Sequence, residues 1–161
     1  MGGTWRDTSN EQQDGAPVNI ACMPAAWELM FEALPDANVG LEWEPTHQMV
    51  QLIDPMANLR KYVKRIFHLH GKDATIMRDV IASDGIYGPR PWCYHRHPGF
   101  GDCNWKDIIT ELRLAGFKGA IDIEGWHEPV YRDELEMTGQ VYALNYLKSC
   151  RGGDLVPNPV V

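Results

Sequence analysis

The feature that most limits how this chain can fold is a strand-then-helix unit that recurs three times. Alternating apolar and polar residues predict strands at Val39–Glu44, Arg65–Gly71 and Ala120–Gly125, and a helical pattern follows each strand. Strands that alternate with helices in this way lie parallel and are joined by right-handed crossovers. The sequence therefore predicts an α/β fold built on a parallel sheet.

Four amphipathic helices accompany these strands. The first precedes every predicted strand, and the third begins with an Asn-x-x-Asp sequence that resembles a capping box. Their predicted ranges are Pro24–Leu34, Asp54–Arg65, Asn104–Gly116 and Arg132–Cys150. We expect residues 1–22 to be an entry loop, residues 23–150 the folded part and residues 151–161 a loose tail.

Three strand–helix units preceded by a helix do not make a closed fold. A sheet of three parallel strands keeps two open edges, and an eight-stranded α/β barrel normally needs roughly 250 residues, whereas this chain has 161. The sequence therefore predicts a partial TIM (β/α) barrel, namely its last three strand–helix units with the N-terminal half missing. Open edges and an apolar half-barrel surface favour association with another half or with itself as a homo-oligomer.

Composition narrows the partners. A net charge of −7 and a pI near 5.3 argue against nucleic acid, because proteins that bind phosphates need clustered basic residues. The four cysteines form no Cys-x-x-Cys pair and follow no secretory signal, and no run of 18 apolar residues occurs. We therefore expect a cytoplasmic protein with reduced thiols that neither spans nor binds a membrane.

Two segments suggest an active site. The long connection from Asp84 to Cys103 is rich in Gly, Pro and aromatic residues, and we expect part of an active-site lid there, with His95 and His97 on the surface or in the lid, where they touch substrate. Polar side chains also gather near the ends of the three strands. They are Glu44 with His47, His68 with His70, and Asp122 with Glu124.

The carboxyl ends of barrel strands converge on one mouth, so these carboxylates and imidazoles should meet there. Mixed histidine and carboxylate ligands suit Mn²⁺, Mg²⁺, Co²⁺ or Zn²⁺. The residues thus predict a divalent-metal site. Glu42 and Asp122 lie on the same faces, and we expect salt bridges or support of the ligands from them. Lys72 is expected to contact a substrate phosphate or hydroxyl or, equally, to form an ion pair.

Four motifs, in order, resemble one family. Glu44-Pro-Thr-His47 resembles an Asp-Pro-Ser-His motif, and Phe67-His-Leu-His-Gly-Lys-Asp73 resembles a His-x-His-x-Lys-Asp strand. Pro98–Trp105 resembles a Pro-Gly-x-Gly-x-x-x-Trp loop, and Ile121-Asp-Ile-Glu124 resembles a final strand that carries Glu. Together they resemble the sugar phosphate isomerase/epimerase family, whose members form a xylose isomerase-like TIM barrel, over about residues 1–150.

The resemblance implies roles for individual residues. Glu44, His68 and Glu124 would bind the metal, and Glu124 would also be a catalytic acid/base group. His47 and His70 would contact substrate oxygens, as would Lys72 in its substrate-binding interpretation. Glu44 stands where the family has Asp, and the family's first Glu ligand would lie on a strand before Met1.

The expected chemistry is proton removal beside a carbonyl group of a small sugar or polyol. The resulting enediolate needs a divalent cation to neutralise its oxygens and a carboxylate to move the proton. Three alternatives remain at this point: an inositol-type dehydratase or lyase on the same barrel, an endonuclease of abasic DNA, and a fragment that is inactive alone and only associates. The acidic composition disfavours the endonuclease.

Overall fold

The structure, a computed structural model, describes residues 21–35 and 38–153. In chain order the helices and strands are α1 (Pro24–Ala33), β1 (Leu41–Trp43), α2 (Pro45–Met49), α3 (Pro55–Tyr62), β2 (Ile66–Gly71), β3 (Asp73–Ile76), α4 (Arg78–Asp84), β4 (Cys93–Arg96), α5 (Trp105–Leu114), β5 (Ile121–Ile123) and α6 (Glu136–Cys150). Single 3₁₀ turns precede β2 and α6. Most of the predicted entry loop and tail lies outside the described residues.

Three strands form a parallel sheet in the order β1–β2–β5. Helices α2 and α3 connect β1 to β2, and the helices and hairpin described below separate β2 from β5. The α/β class and the three parallel strands expected from the sequence are confirmed. The sheet therefore corresponds to part of a TIM barrel, with the carboxyl ends of its strands at one edge.

An irregularity in the sheet corrects one detail of the sequence prediction. Leu41 pairs with Ile66, but the next residue, Glu42, pairs with His68, so Phe67 is an extra residue in β2. Simple alternation placed Ile66 on the same face as His68. The bulge instead leaves Ile66 buried beside Leu69 and leaves Phe67 48% exposed.

The main core lies between one face of the sheet and the helices. This outer face consists of Leu41, Trp43, Leu69, Ile121 and Ile123, all buried or partly buried in the core. Helix α5 begins at an Asn104 cap whose side chain accepts a hydrogen bond from the backbone N–H of Asp107. Four of its side chains face inward and are buried: Trp105, Ile108, Ile109 and Leu112.

Two antiparallel strands, β3 and β4, are joined through α4, and we call this unit the hairpin. Strand β4 lies within the connection from Asp84 to Cys103. Strand β4 pairs antiparallel with β3, from Asp73 opposite Arg96 to Ile76 opposite Cys93. Its apolar side chains form a second core cluster around Ala74, Ile76 and Trp92. The sequence analysis predicted neither strand, because β3 begins directly after Gly71-Lys72, which read as the end of a strand, and β4 pairs with this distant segment.

Among the described residues, no helix combines the length and the apolar character that crossing a membrane requires.

Candidate active site

The other face of the three-stranded sheet is polar. This inner face carries Glu42 from β1, His68 and His70 from β2, and Asp122 from β5, with Glu44 and Glu124 directly after β1 and β5. Side chains alternate across a strand, so the residues between those of the apolar outer face must point to the opposite side. The sheet thus places six ionisable side chains on one surface.

Three of these side chains come together at the carboxyl end of the sheet. His70 Nδ1 lies 3.0 Å from Glu124 Oε2 and 3.6 Å from Glu44 Oε2. One ligand atom from each of the three residues lies within 4.8 Å of the other two. We name Glu44, His70 and Glu124 the strand-end triad.

The strand-end triad fits a divalent cation. Glu44 Oε1 is buried and accepts no hydrogen bond, so one potential ligand atom has no partner. Burial raises the pKa of Glu44 to about 8, and the charges of Glu124 and Glu42 add to the rise although Lys72 opposes it. A buried carboxylate in this electrostatic environment is stabilised by added positive charge, and carboxylate with imidazole is a donor set for Mn²⁺, Mg²⁺, Co²⁺ or Zn²⁺.

The structure differs from the sequence-based expectation at the two histidines of β2. His68, the expected ligand, does not join Glu44 and Glu124; its Nε2 lies 3.1 Å from Asp122 Oδ2. His70, expected to contact substrate, is the histidine that lies beside Glu44 and Glu124. The two histidines share a face, but they lie about 6.6 Å apart along the strand. Only the later one reaches the strand ends.

Lys72 forms an ion pair with the triad. Its Nζ lies 2.7 Å from Glu124 Oε1, and its side chain is only 3% exposed. Burial raises the pKa of Glu124, but the hydrogen bond and charge of Lys72 outweigh it, and the net shift is downward. Glu124 is therefore held ionised at neutral pH. Of the two expected roles of Lys72, the ion pair is the one that the structure contains.

Asp73 explains the Gly- and Trp-containing loop motif. Its buried carboxylate accepts hydrogen bonds from the backbone N–H groups of Gly99 and Cys103 and from Trp105 Nε1, the last at 3.0 Å. A Cβ at Gly101 would lie 2.3 Å from Asp73 Oδ1, so only glycine fits there. The motif thus fixes the loop and the start of α5 behind the triad and does not itself contribute a ligand.

A cleft of about 610 Å³ opens beside β1 and the triad. Its walls combine aromatic and polar side chains, among them Trp27, Trp43, Glu42, Glu44, Gln48, Lys72, His95, Glu124 and Trp126. His47, an expected substrate contact, also lines it; the side chain is 58% exposed and its Nε2 lies 3.3 Å from Glu44 Oε2. The cleft is large enough for a sugar, and Glu44 and Glu124 of the triad form part of its wall.

His95 lines the cleft. It was expected on the surface or in a lid that touches substrate; the surface position is wrong, because His95 lies in β4 and is 7% exposed. Burial and the charge of Lys72 lower its pKa to about 3, so it is neutral. Its ring contacts that of His127 edge to face, with centroids 5.4 Å apart. The position of His95 could have been predicted only from the pairing of β4 with β3.

His97, the second histidine expected at the surface, is fully buried. Its backbone N–H donates to Glu128 Oε2 at 3.0 Å, and Arg96 Nε donates to the same oxygen at 3.1 Å. Glu128 was not singled out by the sequence, because it lies in a segment without regular periodicity. These two hydrogen bonds to Glu128 connect the end of β4 to the loop that follows Glu124. Neither His97 nor Glu128 lines the cleft.

Comparison with known proteins agrees with this geometry. Residues 11–148 match the model of the Xylose isomerase-like TIM barrel family. The chain therefore belongs to that family, and the resemblance seen in the four motifs is confirmed at the family level. A solved structure, a xylose isomerase domain protein from Planctomyces limnophilus, superposes with a TM-score of 0.57 at 20% identity, over 78% of this chain and 41% of that one. The superposition supports the partial barrel.

Two curated proteins are similar in sequence. An uncharacterized protein YfiH of Bacillus subtilis is 28% identical over 95 residues, which cover 53% of this chain and 30% of that protein. An inosose dehydratase of Lactiplantibacillus plantarum is 28% identical over 102 residues, which cover 62% of this chain and 34% of that protein. The chain thus spans about a third of the length of these relatives.

Proposed function

We propose that this chain forms the metal-binding part of a sugar isomerase or epimerase that acts on an uncharged sugar or polyol. The observation that carries the proposal is the meeting of Glu44, His70 and Glu124 at the ends of three neighbouring parallel strands, where Glu44 and Glu124 line the cleft. This is where the enzymes of α/β barrels carry out their chemistry.

The residues of the triad suit proton transfer beside a carbonyl group. A divalent cation held by Glu44, His70 and Glu124 would supply positive charge next to the carbonyl oxygen, which makes the neighbouring C–H more acidic. The ionised Glu124 would take up that proton. In an isomerisation it would give the proton to the former carbonyl carbon, while the hydroxyl proton of the first carbon moves to the former carbonyl oxygen; in an epimerisation a second acid on the opposite face would protonate the same carbon. Lys72 holds Glu124 in place through its 2.7 Å contact and keeps it ionised before it takes up the proton.

The charges of the cleft favour a substrate without phosphate. Among the described residues that line it, Glu42, Glu44 and Glu124 are acidic and none is an arginine. The lysine of the lining, Lys72, is already paired with Glu124. Apart from the proposed cation, these residues offer a phosphate no arginine and one lysine that is already paired, whereas hydroxyl groups can bond to carboxylates and neutral imidazoles.

A dehydratase of keto-polyols is the second candidate function. The similarity to an inosose dehydratase favours it. Dehydration begins with the same proton removal beside a carbonyl group and differs in its second step, where a hydroxyl on the next carbon leaves as water with a proton from a general acid. An endonuclease receives no support from the acidic lining, because DNA phosphates need basic contacts.

The test is deuterium exchange in the complete gene product, loaded with Mn²⁺ or Mg²⁺. Ketoses and keto-inositols are incubated in D₂O and analysed by mass spectrometry. An isomerase or epimerase incorporates deuterium beside the carbonyl group, while a dehydratase yields a product lighter by one water. Glu124→Gln should abolish either signal, and Asp122→Asn, on the same strand, should retain it. Exchange that survives Glu124→Gln would rule out Glu124 as the base.

A further inference from the structure

The two nitrogens of the His70 ring face two different sets of carboxylates. Nδ1 faces the strand-end triad, at 3.0 Å from Glu124 Oε2 and 3.6 Å from Glu44 Oε2. Nε2, on the other side of the ring, contacts a carboxylate oxygen of Glu42. Glu42 and Glu44 are two residues apart, so both project from the inner face of the sheet. They approach the imidazole from its two ends.

We propose that Glu42 is a positioning residue that accepts the Nε2–H of His70 and thereby aims the Nδ1 lone pair of His70 at the metal. The inference rests on the proposed metal centre at the strand-end triad, and it assigns the sequence-predicted supporting role of Glu42 to one atom of one ligand.

The physical reason is that a neutral imidazole carries one proton on either of two nitrogens. Only the unprotonated nitrogen can bind a cation, and the hydrogen bond made by the other nitrogen selects the tautomer and the ring orientation. Histidine ligands of metals almost always donate their second N–H to a carboxylate, carbonyl or water. In this structure the acceptor at Nε2 is Glu42, whose side chain is 53% exposed.

A second use of the same residues has to be distinguished from this one. Glu42, His68 and His70 also bring one ligand atom each to within 4.8 Å of one another. They could therefore hold a cation of their own, with His70 bridging two ions. In that case Glu42 is a direct ligand of a second ion and does not act through His70. The number of ions bound per chain separates the two arrangements.

The inner face supplies a matched control. His68 Nε2 lies 3.1 Å from Asp122 Oδ2, which is the same kind of contact between imidazole and carboxylate at a neighbouring position of the same strand. Both carboxylates are well exposed, at 53% for Glu42 and 66% for Asp122. Asp122→Asn therefore removes a comparable charge without touching His70. It also tests whether His68 is the ligand.

The experiment is titration of the full chain with Zn²⁺ by calorimetry, with circular dichroism as a check of folding. Glu42→Ala should weaken Zn²⁺ binding about 10- to 100-fold. Glu42→Gln should weaken it less, because its amide oxygen still accepts a hydrogen bond. Asp122→Asn should bind as the unmodified chain does. In ¹⁵N spectra of the metal-free chain, neutral His70 should carry its proton on Nε2, and Glu42→Ala should lose this fixed assignment.

Several outcomes would overturn the proposal. Unchanged affinity in Glu42→Ala would remove the role of Glu42 and leave the metal centre intact. Weakening by Asp122→Asn would point to His68 as the ligand, and two ions per chain with one lost in Glu42→Ala would make Glu42 a ligand. If the chain binds no Zn²⁺, both the proposed metal centre and the positioning role of Glu42 are wrong. If Zn²⁺ binds as expected but no sugar is turned over, only the proposed function is wrong.

Discussion

The inner and outer faces of the three-stranded sheet are made by alternate residues of the same strands, yet they differ in their exposure and in the kind of contacts that their side chains make. Leu69 on the outer face is fully buried, whereas its neighbours His68 and His70 on the inner face are about one-third exposed. The outer side chains pack against helices. The inner ones contact one another through charges and hydrogen bonds.

This difference means that the outer face mainly stabilises the fold, whereas the inner face carries the residues of the proposed site. Burial of apolar area on the outer face contributes most of the folding energy, at roughly 25 cal/mol per Å². The pairs of His68 with Asp122 and of His70 with Glu42 are partly exposed, and exposed ion pairs contribute little to stability. The strand ends also hold Glu44 buried and close to Glu124; burial and this second charge raise the pKa of Glu44, an arrangement that a face selected only for stability would avoid.

Truncating one side chain on each face of β2 tests this difference between the two faces most directly. Leu69→Ala should lower the free energy of unfolding by about 2 to 5 kcal/mol, because it opens a cavity in the core. His68→Ala, one residue earlier, should change it by less than about 1 kcal/mol. Urea unfolding of the two variants measures both values. Equal losses would mean that the inner face is packed as tightly as the outer one.

Glu128 lies away from the sheet and combines the two properties that the faces keep apart, because its carboxylate is both charged and buried. Burial would raise the pKa of Glu128, but hydrogen bonds from His97 and Val130 and the charge of Arg96 outweigh it and lower the pKa to about 2. A carboxyl with a lowered pKa in the folded state stabilises the protein above its ordinary pKa of 4.5. That stability is lost as the pH falls towards 2.

The expected loss is about 3 kcal/mol between pH 5 and pH 2. In Glu128→Gln this part of the pH dependence should be absent, and the variant should be less stable than the unmodified chain at pH 7. Urea unfolding at several pH values measures both proteins. Curves that run parallel for the two proteins would contradict the assignment of the low pKa to Glu128.

The parallel sheet was predictable because its strands alternate clearly between apolar and polar residues. The same period predicted the polar residues Glu44, His70 and Glu124 at one mouth. The hairpin was not predictable in this way, because β3 is buried by pairing with β4, which lies some 20 residues away in sequence. Alternation within one segment carries no information about such a partner.

The choice between His68 and His70 shows a similar limit. Both histidines lie on one face and in one motif, so the sequence fixes the face but not the distance to the strand ends. That distance depends on the register of β2, which pairs His70 with Asp122 and His68 with Glu42. The bulge at Phe67, which reversed the expected face of Ile66, likewise arises from pairing between strands.

Metal addition tests whether the inner face can contribute to stability after all. At a Zn²⁺ concentration 100 times the dissociation constant, binding to the folded state should add about 2.7 kcal/mol to the free energy of unfolding. The thermal midpoint of the chain should rise with Zn²⁺ in proportion to this gain. Glu44→Gln should abolish the rise, while Asp122→Asn should keep it. A rise that persists in Glu44→Gln would place the ion elsewhere.

The smallest predicted effect concerns how closely the helical layer approaches the hairpin. Gly139 is buried in α6, and a Cβ there would lie 2.6 Å from Tyr131 Cβ and 2.8 Å from His97 Cε1. Gly139→Ala should therefore lower the free energy of unfolding by about 1 to 3 kcal/mol, although alanine is the better helix former. The exposed neighbour offers a control, since Thr138→Ala should be neutral or slightly stabilising. Stabilisation by both substitutions would mean that α6 can move away from His97 at little cost, and that the layers around this histidine are packed as loosely as the inner face of the sheet.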